Sequence, residues 1–224
     1  SISPTNWSFT INNNASHTNS TSVTLNITCA TDNWVWGVQV AYGNSANPTN
    51  WVNCSSSISH TLPSWDGSKT VYMRFRDWLE NTTDDISKSI TLDTAAPTLS
   101  FYDDVSATYV KSDIVSVNRW DASVMKYMYT TYTTCSDNEN DYTDATYISF
   151  NQSTEANNGK YICLLAKDSL WNVSTIKSAN TIHIDVTPPT GWSFTINNDA
   201  SYTKNVSVTL NTTCATDSLA WNVQ

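Results

Sequence analysis

The chain has 224 residues, a formal net charge of −9 and only 14% charged side chains. An acidic surface without a basic stripe argues against a nucleic-acid partner. No run of about 18 apolar residues is present to cross a membrane as a helix. Five glycines, ten tryptophans and eleven tyrosines, among abundant Ser, Thr and Asn, favour strands over helices.

In chain order, Trp7, Phe9 and Ile11 alternate with Asn6, Ser8 and Thr10, and Val23, Leu25, Ile27 and Cys29 alternate with Thr24, Asn26 and Thr28. Strict alternation predicts strands with the first set inward and the second toward solvent. Further strands are expected at Gly37–Tyr42, Trp51–Ser59 and Ser87–Asp93, around the alternating Val71, Met73 and Phe75. The same plan recurs at Leu99–Tyr102, Asp113–Asn118, Met125–Thr131, Thr146–Phe150, Lys160–Lys167 and Asn180–Asp185. Six to seven short strands in about 92 residues predict an all-β fold of tandem immunoglobulin-like Greek-key β-sandwiches.

Two periods organise these elements. Trp7 recurs as Trp192, Cys29 as Cys214 and Gln39 as Gln224, an offset of about 185 residues. Inside it, Pro4-Thr5, Pro97-Thr98 and Pro189-Thr190 recur about every 92 residues, near the size of one sandwich domain. The expected domains are 1–96, 97–188 and 189–224. The last repeats the opening of the first and is expected to be either truncated or completed by a neighbour, because a third of a sandwich cannot bury its own apolar face.

Lys69-Thr70-Val71-Tyr72, Arg76-Asp77, Asn81-Thr82, Ile90-Thr91-Leu92-Asp93 and Ala96-Pro97-Thr98 resemble bacterial Ig-like tandem repeats of surface proteins, adhesin stalks and extracellular filaments. The second domain matches at Lys160, Tyr161, Lys167-Asp168, Asn172, Ile184-Asp185 and Pro189-Thr190. Both copies depart from that pattern where Trp78-Leu79-Glu80 and Ser169-Leu170-Trp171 replace a small glycine-containing turn. The resemblance implies a spacer, stalk or filament role and brings no catalytic residues with it.

Cysteine placement points to an oxidising compartment and one disulfide per domain, Cys29–Cys54 and Cys135–Cys163. Cys163 is expected on the outer face of its strand. Buried free thiols are the alternative, and one that suits Cys29 better than Cys163. Cys214 repeats Cys29, and the counterpart of Cys54 would fall past Gln224. No short paired cysteine spacing supports a metal site, and there are only three histidines.

Ten Asn-x-Ser/Thr sequons are present, at Asn6, Asn14, Asn19, Asn26, Asn53, Asn81, Asn151, Asn172, Asn205 and Asn211. Asn26 and Asn211 are repeat equivalents on the expected solvent face. Asn81 and Asn172 are equivalent turn positions, where Asn is also simply a good turn residue. Asp93, Asp103, Asp104 and Asp185 flank the Pro linkers and are candidates for calcium at a junction; no other cofactor is expected, and solvated acidic loops are the plainer reading. Lys69 and Lys160 begin equivalent strands and are expected to snorkel.

Trp34, Trp36, Trp51, Trp65, Trp78 and Trp171 fall near loops and exceed what one core needs, so some are expected at contacts with domains, glycans or other copies. His17, His60 and His183 are scattered without a nucleophile, and no enzyme is expected. The expected function is a structural subunit of an extracellular or cell-surface filament or stalk. An adhesive or carbohydrate-binding module, and an accessory region of a secreted enzyme, are the alternatives.

Overall fold

The structure is a computed structural model that describes residues 3–30, 37–145 and 149–217. Trp34, Trp36, Gln224 and part of the strand expected at Thr146–Phe150 lie outside the described residues. Two compact units emerge. Unit 1 is Ser1–Ala96 with the turn Asp168–Asn172, and unit 2 is Pro97–Lys167 with Val173–Gln224.

Unit 1 carries β1 (Ser8–Ile11), β2 (His17–Thr18), β3 (Ser22–Thr28), β4 (Gln39–Gly43), β5 (Trp51–Asn53), β6 (Ser57–Thr61), β7 (Gly67–Arg76) and β8 (Ile86–Leu92). One sheet has the order β1-β3-β6 and the other β2-β8-β7-β4-β5. All pairs are antiparallel except β2 with β8, so the first strand is shared between the sheets. The strand expected at Trp51–Ser59 is therefore two strands. The chain changes sheets at Cys54–Ser56, where Cys54 N donates to Val38 O and Ile27 N donates to Ser56 O. Phe9, Ile11, Val23, Leu25, Val40, Val71, Met73, Phe75 and Ile90 fill the space between the sheets, as their alternation requires. Trp7 closes this core, stacked on Phe75 with ring centroids 5.8 Å apart.

The β1–β2 connection explains a repeated tripeptide. Asn12, Asn13 and Asn14 take φ of 47, 56 and 68°, and Asn197, Asn198 and Asp199 take 49, 58 and 67°. Asn and Asp tolerate the left-handed region better than other L-residues because their short polar side chains bond locally. Asn12 Oδ1 accepts from Thr24 N and Asn197 Oδ1 from Thr209 N, each at 2.8 Å.

Unit 2 repeats the plan with β9 (Thr98–Asp103), β10 (Asp113–Trp120), β11 (Val124–Thr130), β12 (Thr143–Asp144), β13 (Ser149–Gln152), β14 (Tyr161–Lys167) and β15 (Val173–Lys177). The sheets are β13-β10-β9 and β12-β11-β14-β15, with Val110 bridged in parallel to Ile184. The last strand differs from expectation. Regular pairing runs over Val173–Lys177 and not Asn180–Asp185. Ser178 interrupts it: its hydroxyl accepts from Ile162 N and donates to Asn180 O. Ile182 and Ile184 beyond this break are still fully buried.

The remaining strands, β16 (Ser193–Ile196) and β17 (Leu210–Thr213), form a two-stranded hairpin. Phe194, Ile196, Val208 and Leu210 are 59, 45, 47 and 59% exposed. Their repeat equivalents Phe9, Ile11, Val23 and Leu25 are all buried. This hairpin carries the pattern of β1 and β3 without an opposing sheet among the described residues. No helix among them is long and apolar enough to cross a membrane. The chain is all-β, built of tandem immunoglobulin-like Greek-key β-sandwiches.

Candidate functional site

The features that bear on function are the staples, turns and linker exits of the sandwiches. Cys29 is bonded to Cys54, with Cα atoms 5.9 Å apart, and Cys135 to Cys163 at 5.7 Å. Cys214 is a free, exposed thiol. Cys163 does lie on the face of β14 away from the main core, but it is fully buried, not solvent-facing. The segment between β11 and β12 folds over that face and makes a second apolar cluster of Met128, Cys135, Tyr142, Cys163 and Leu165. Tyr142 Oη donates to Ser136 O at 2.8 Å and ties this cover to itself. The Glu139 carboxylate is paired with Lys167 and, at 3.2 Å, with Lys126. Hydrogen bonding from Lys167, then from Lys126, holds the Glu139 carboxyl below its ordinary value.

Two turns, after β7 and after β14, run from a buried Asp to an Asn. Asp77 and Asp168 are each only 4% exposed. Asp77 Oδ1 accepts from Asn81 N, and Oδ2 from Asn81 Nδ2. Asp168 accepts from Leu170 N and Asn172 N through Oδ1, and from Asn172 Nδ2 through Oδ2. Burial acts to raise the Asp77 carboxyl, but the hydrogen bonds from Asn81 and Leu79 outweigh it and lower it. Where a glycine-containing turn is usual, Glu80 and Trp171 hold φ of 63 and 72°. Within unit 1 the turn Asp168–Asn172 is seated by two further bonds. Asn172 Nδ2 donates to Asp93 O at 3.0 Å, and Asn19 Nδ2 donates to Leu170 O at 2.7 Å.

These bonds bear on the sequons. Asn81 and Asn172 are half-buried, with their amides turned onto Asp77 and Asp168. Asn26, which alternation places toward solvent, is also half-buried and accepts from Asn13 N. Asn211 is exposed, as are Asn6, Asn14, Asn19, Asn53, Asn151 and Asn205.

The acidic residues near the linkers are largely occupied by their own loops. Asp93 accepts from Ala95 N, Asp185 from Thr187 N, and Asp104 from Val105 N and Ala179 N; Asp103 is exposed at the end of β9. The carboxylates that hold the linkers were not singled out by sequence. Asp66 Oδ1 accepts from both the N–H and the hydroxyl of Thr94, each at 2.8 Å. Glu155 Oε1 accepts from Val186 N, Thr187 N and the Thr187 hydroxyl at 2.9, 3.1 and 2.7 Å. Each clamp grips the chain just past Asp93 or Asp185, where it enters the Pro linker.

The Thr94 N–H and then its hydroxyl lower the Asp66 carboxyl, and the Val186 N–H and then the Thr187 hydroxyl lower that of Glu155. A lowered folded-state value means the clamps contribute fully above the ordinary carboxyl range and are lost as pH falls through the lowered values. Hydrogen-exchange protection at Thr94, Val186 and Thr187, corrected for intrinsic rates, should therefore hold at neutral pH and collapse in acid. Protection that persists after both carboxyls are seen to protonate in the same acid titration would contradict the clamps.

Lys69 faces inward beside Val71 and is 3% exposed; its ammonium donates to Asp66 O and lies 4.4 Å from the Trp65 ring centre. Lys160 Nζ donates to Ala156 O and Asn157 Oδ1. Trp51 is covered by Arg76, 4.5 Å from its ring centre, whereas Trp65, Trp78, Trp120 and Trp171 are exposed.

No family model matches the chain. No curated protein matches it either. Among solved structures, fibronectin(III)-like modules of Clostridium thermocellum CbhA align over 79% of this chain and 95% of theirs, at 12% identity and a TM-score of 0.37. The FN1-FN3 domains of chicken CNTN1 align over 79% of this chain and 67% of theirs, at 13% identity and a TM-score of 0.31. Identities and scores at this level carry no functional assignment. The assignment to Ig-like sandwiches rests on the strand order, and two disulfides in such sandwiches are typical of extracellular modules.

Proposed function

We propose that this chain is a structural, non-enzymatic part of an extracellular filament or cell-surface stalk built from tandem Ig-like domains, in the manner of the bacterial repeats it resembles. The carrying observation is the recurrence of one two-domain pattern at a constant offset. Trp192, Phe194, Ile196, Leu210 and Cys214 repeat Trp7, Phe9, Ile11, Leu25 and Cys29. A fibre needs the same packing again and again, so near-identical copies suit it. The clamps at Asp66 and Glu155 support the same reading, because a spacer transmits direction only if the chain leaves each domain at a fixed place. The partners in this reading are copies of the same unit, and exposed sequons such as Asn53 and Asn151 are the positions this reading gives to glycans.

A carbohydrate-binding or adhesive role is the second reading, favoured by the exposure of Trp65, Trp78, Trp120 and Trp171 at 67, 71, 74 and 68%. Sedimentation of the native material together with a glycan array separates the two. Large, polydisperse assemblies without glycan binding are expected. A monodisperse monomer that binds a defined glycan would overturn the filament reading.

A further inference from the structure

The last segment of unit 2 is gripped by a side chain where unit 1 uses main-chain pairing. In unit 1, Gly67 pairs with Leu92 as β7 runs beside β8. In unit 2, β15 ends at Lys177, and Ile184 beyond it is held by the amide of Asn158. Ile184 N donates to Asn158 Oδ1 and Asn158 Nδ2 donates to Ile184 O, both at 2.7 Å. The next residue, Gly159, donates its N–H to Ile182 O at 3.0 Å on the same segment.

Of the asparagines in this chain, only Asn158 precedes a glycine. Asparagine is a chemically labile side chain, and a following glycine has no side chain to hinder attack by its nitrogen. In that reaction Gly159 N bonds to Asn158 Cγ, the Cγ–Nδ2 bond breaks, and ammonia leaves with the proton that Gly159 N gives up. Water then adds to either carbonyl of the cyclic imide and leaves an aspartate or an isoaspartate. In the folded unit both reacting groups are occupied, the N–H by Ile182 O and the amide by Ile184. Both partners lie on Asn180–Asp185, so one local opening of that segment frees both. The product cannot close as the amide did. A carboxylate only accepts, and it sets an oxygen against Ile184 O where Nδ2 stood.

We propose that Asn158 is a site of spontaneous deamidation guarded by the last segment of unit 2, and that the modification makes opening of that segment irreversible. The segment shields the asparagine, and the asparagine fastens the segment just ahead of the Glu155 clamp on Thr187. Unit 1, with main-chain pairing at Leu92, is the internal control. The proposal goes beyond the filament reading and does not rest on it.

Peptide mass spectrometry of the full chain, aged in mildly alkaline buffer with and without unfolding urea, tests it. In urea Asn158 should convert ahead of every other asparagine. In native buffer it should convert at least about tenfold more slowly, because only the opened segment reacts. Asn180→Ala removes one bond that holds the segment, to Val105 O, and should raise the native rate. Asn158→Asp should speed hydrogen exchange at Ile182 and Ile184 and leave Leu92 unchanged. If that variant does not fold, the chain deamidated in place and separated by ion exchange gives the same reading. Equal rates with and without urea, another asparagine converting first in urea, or an Asn180→Ala rate equal to the parent's overturns the guarded site. Exchange at Ile184 that is unchanged after conversion overturns the irreversible release.

Discussion

Replacing Phe75 with alanine should lower the stability of unit 1 by about 4 kcal/mol, in the range for deleting a buried aromatic side chain. Phe75 is fully buried, stacks under Trp7, and sits at the centre of the cluster that joins the two sheets. Its removal costs the transfer of the ring and leaves a cavity that a sandwich held by a disulfide collapses into only partly. In a domain of about 100 residues this lowers the melting temperature by on the order of 20 °C. The core of unit 2 is a separate cluster of Val105, Val115, Val117, Ile162, Leu164, Ile182 and Ile184. Urea denaturation followed by hydrogen exchange should therefore show the loss in β3, β4 and β7 and leave β10 and β14 protected. Equal destabilisation of both units would contradict independent cores.

The double replacement Cys135→Ala with Cys163→Ala should destabilise unit 2 by about 3.5 kcal/mol. That figure follows from the denatured-state entropy of a loop with a sequence separation of 28 residues. The effect should also be local in a way that chain entropy alone is not. The bridge fastens the cover carrying Glu139 and Tyr142 onto β14. Its loss should leave Met128 and Leu165 in contact with water, read as faster exchange along β14 and as dye binding. The Glu139 carboxyl should return toward its ordinary value as Lys167 and Lys126 lose their hold, which a carboxyl-resolved NMR titration would report. Stability lost without any change at Glu139 would mean the bridge acts only on the unfolded chain.

The legible parts of the fold were those with a strict period. Val23-Leu25-Ile27 and Val71-Met73-Phe75 face inward as alternation requires, because one side of each strand is solvated and the other is not. Alternation lost its meaning where a strand is covered on both sides. In β14, Ile162 to Lys167 are all buried, since a segment without periodicity, Thr131–Tyr142, lies across the outer face. The unbroken apolar run Ile162-Cys163-Leu164-Leu165-Ala166 carried that signal. Asn81 and Asn172 look like sequons in the sequence, but a partner four residues back, Asp77 or Asp168, decides where each amide points. The clamps of Asp66 and Glu155 join residues about 30 apart through loops, and no local pattern announces such a bond.

The central claim is that a two-domain unit repeats along a fibre with fixed exits between domains. Electron microscopy of the native material, with the axial period read from averaged images, tests it most directly. A ten-residue strand such as β7 spans about 33 Å, which sets a domain length on the order of 35 Å. Beaded filaments whose period is one or two such lengths, with straight runs across several beads, are the predicted result. Isolated particles, or flexible chains with no period, would contradict it.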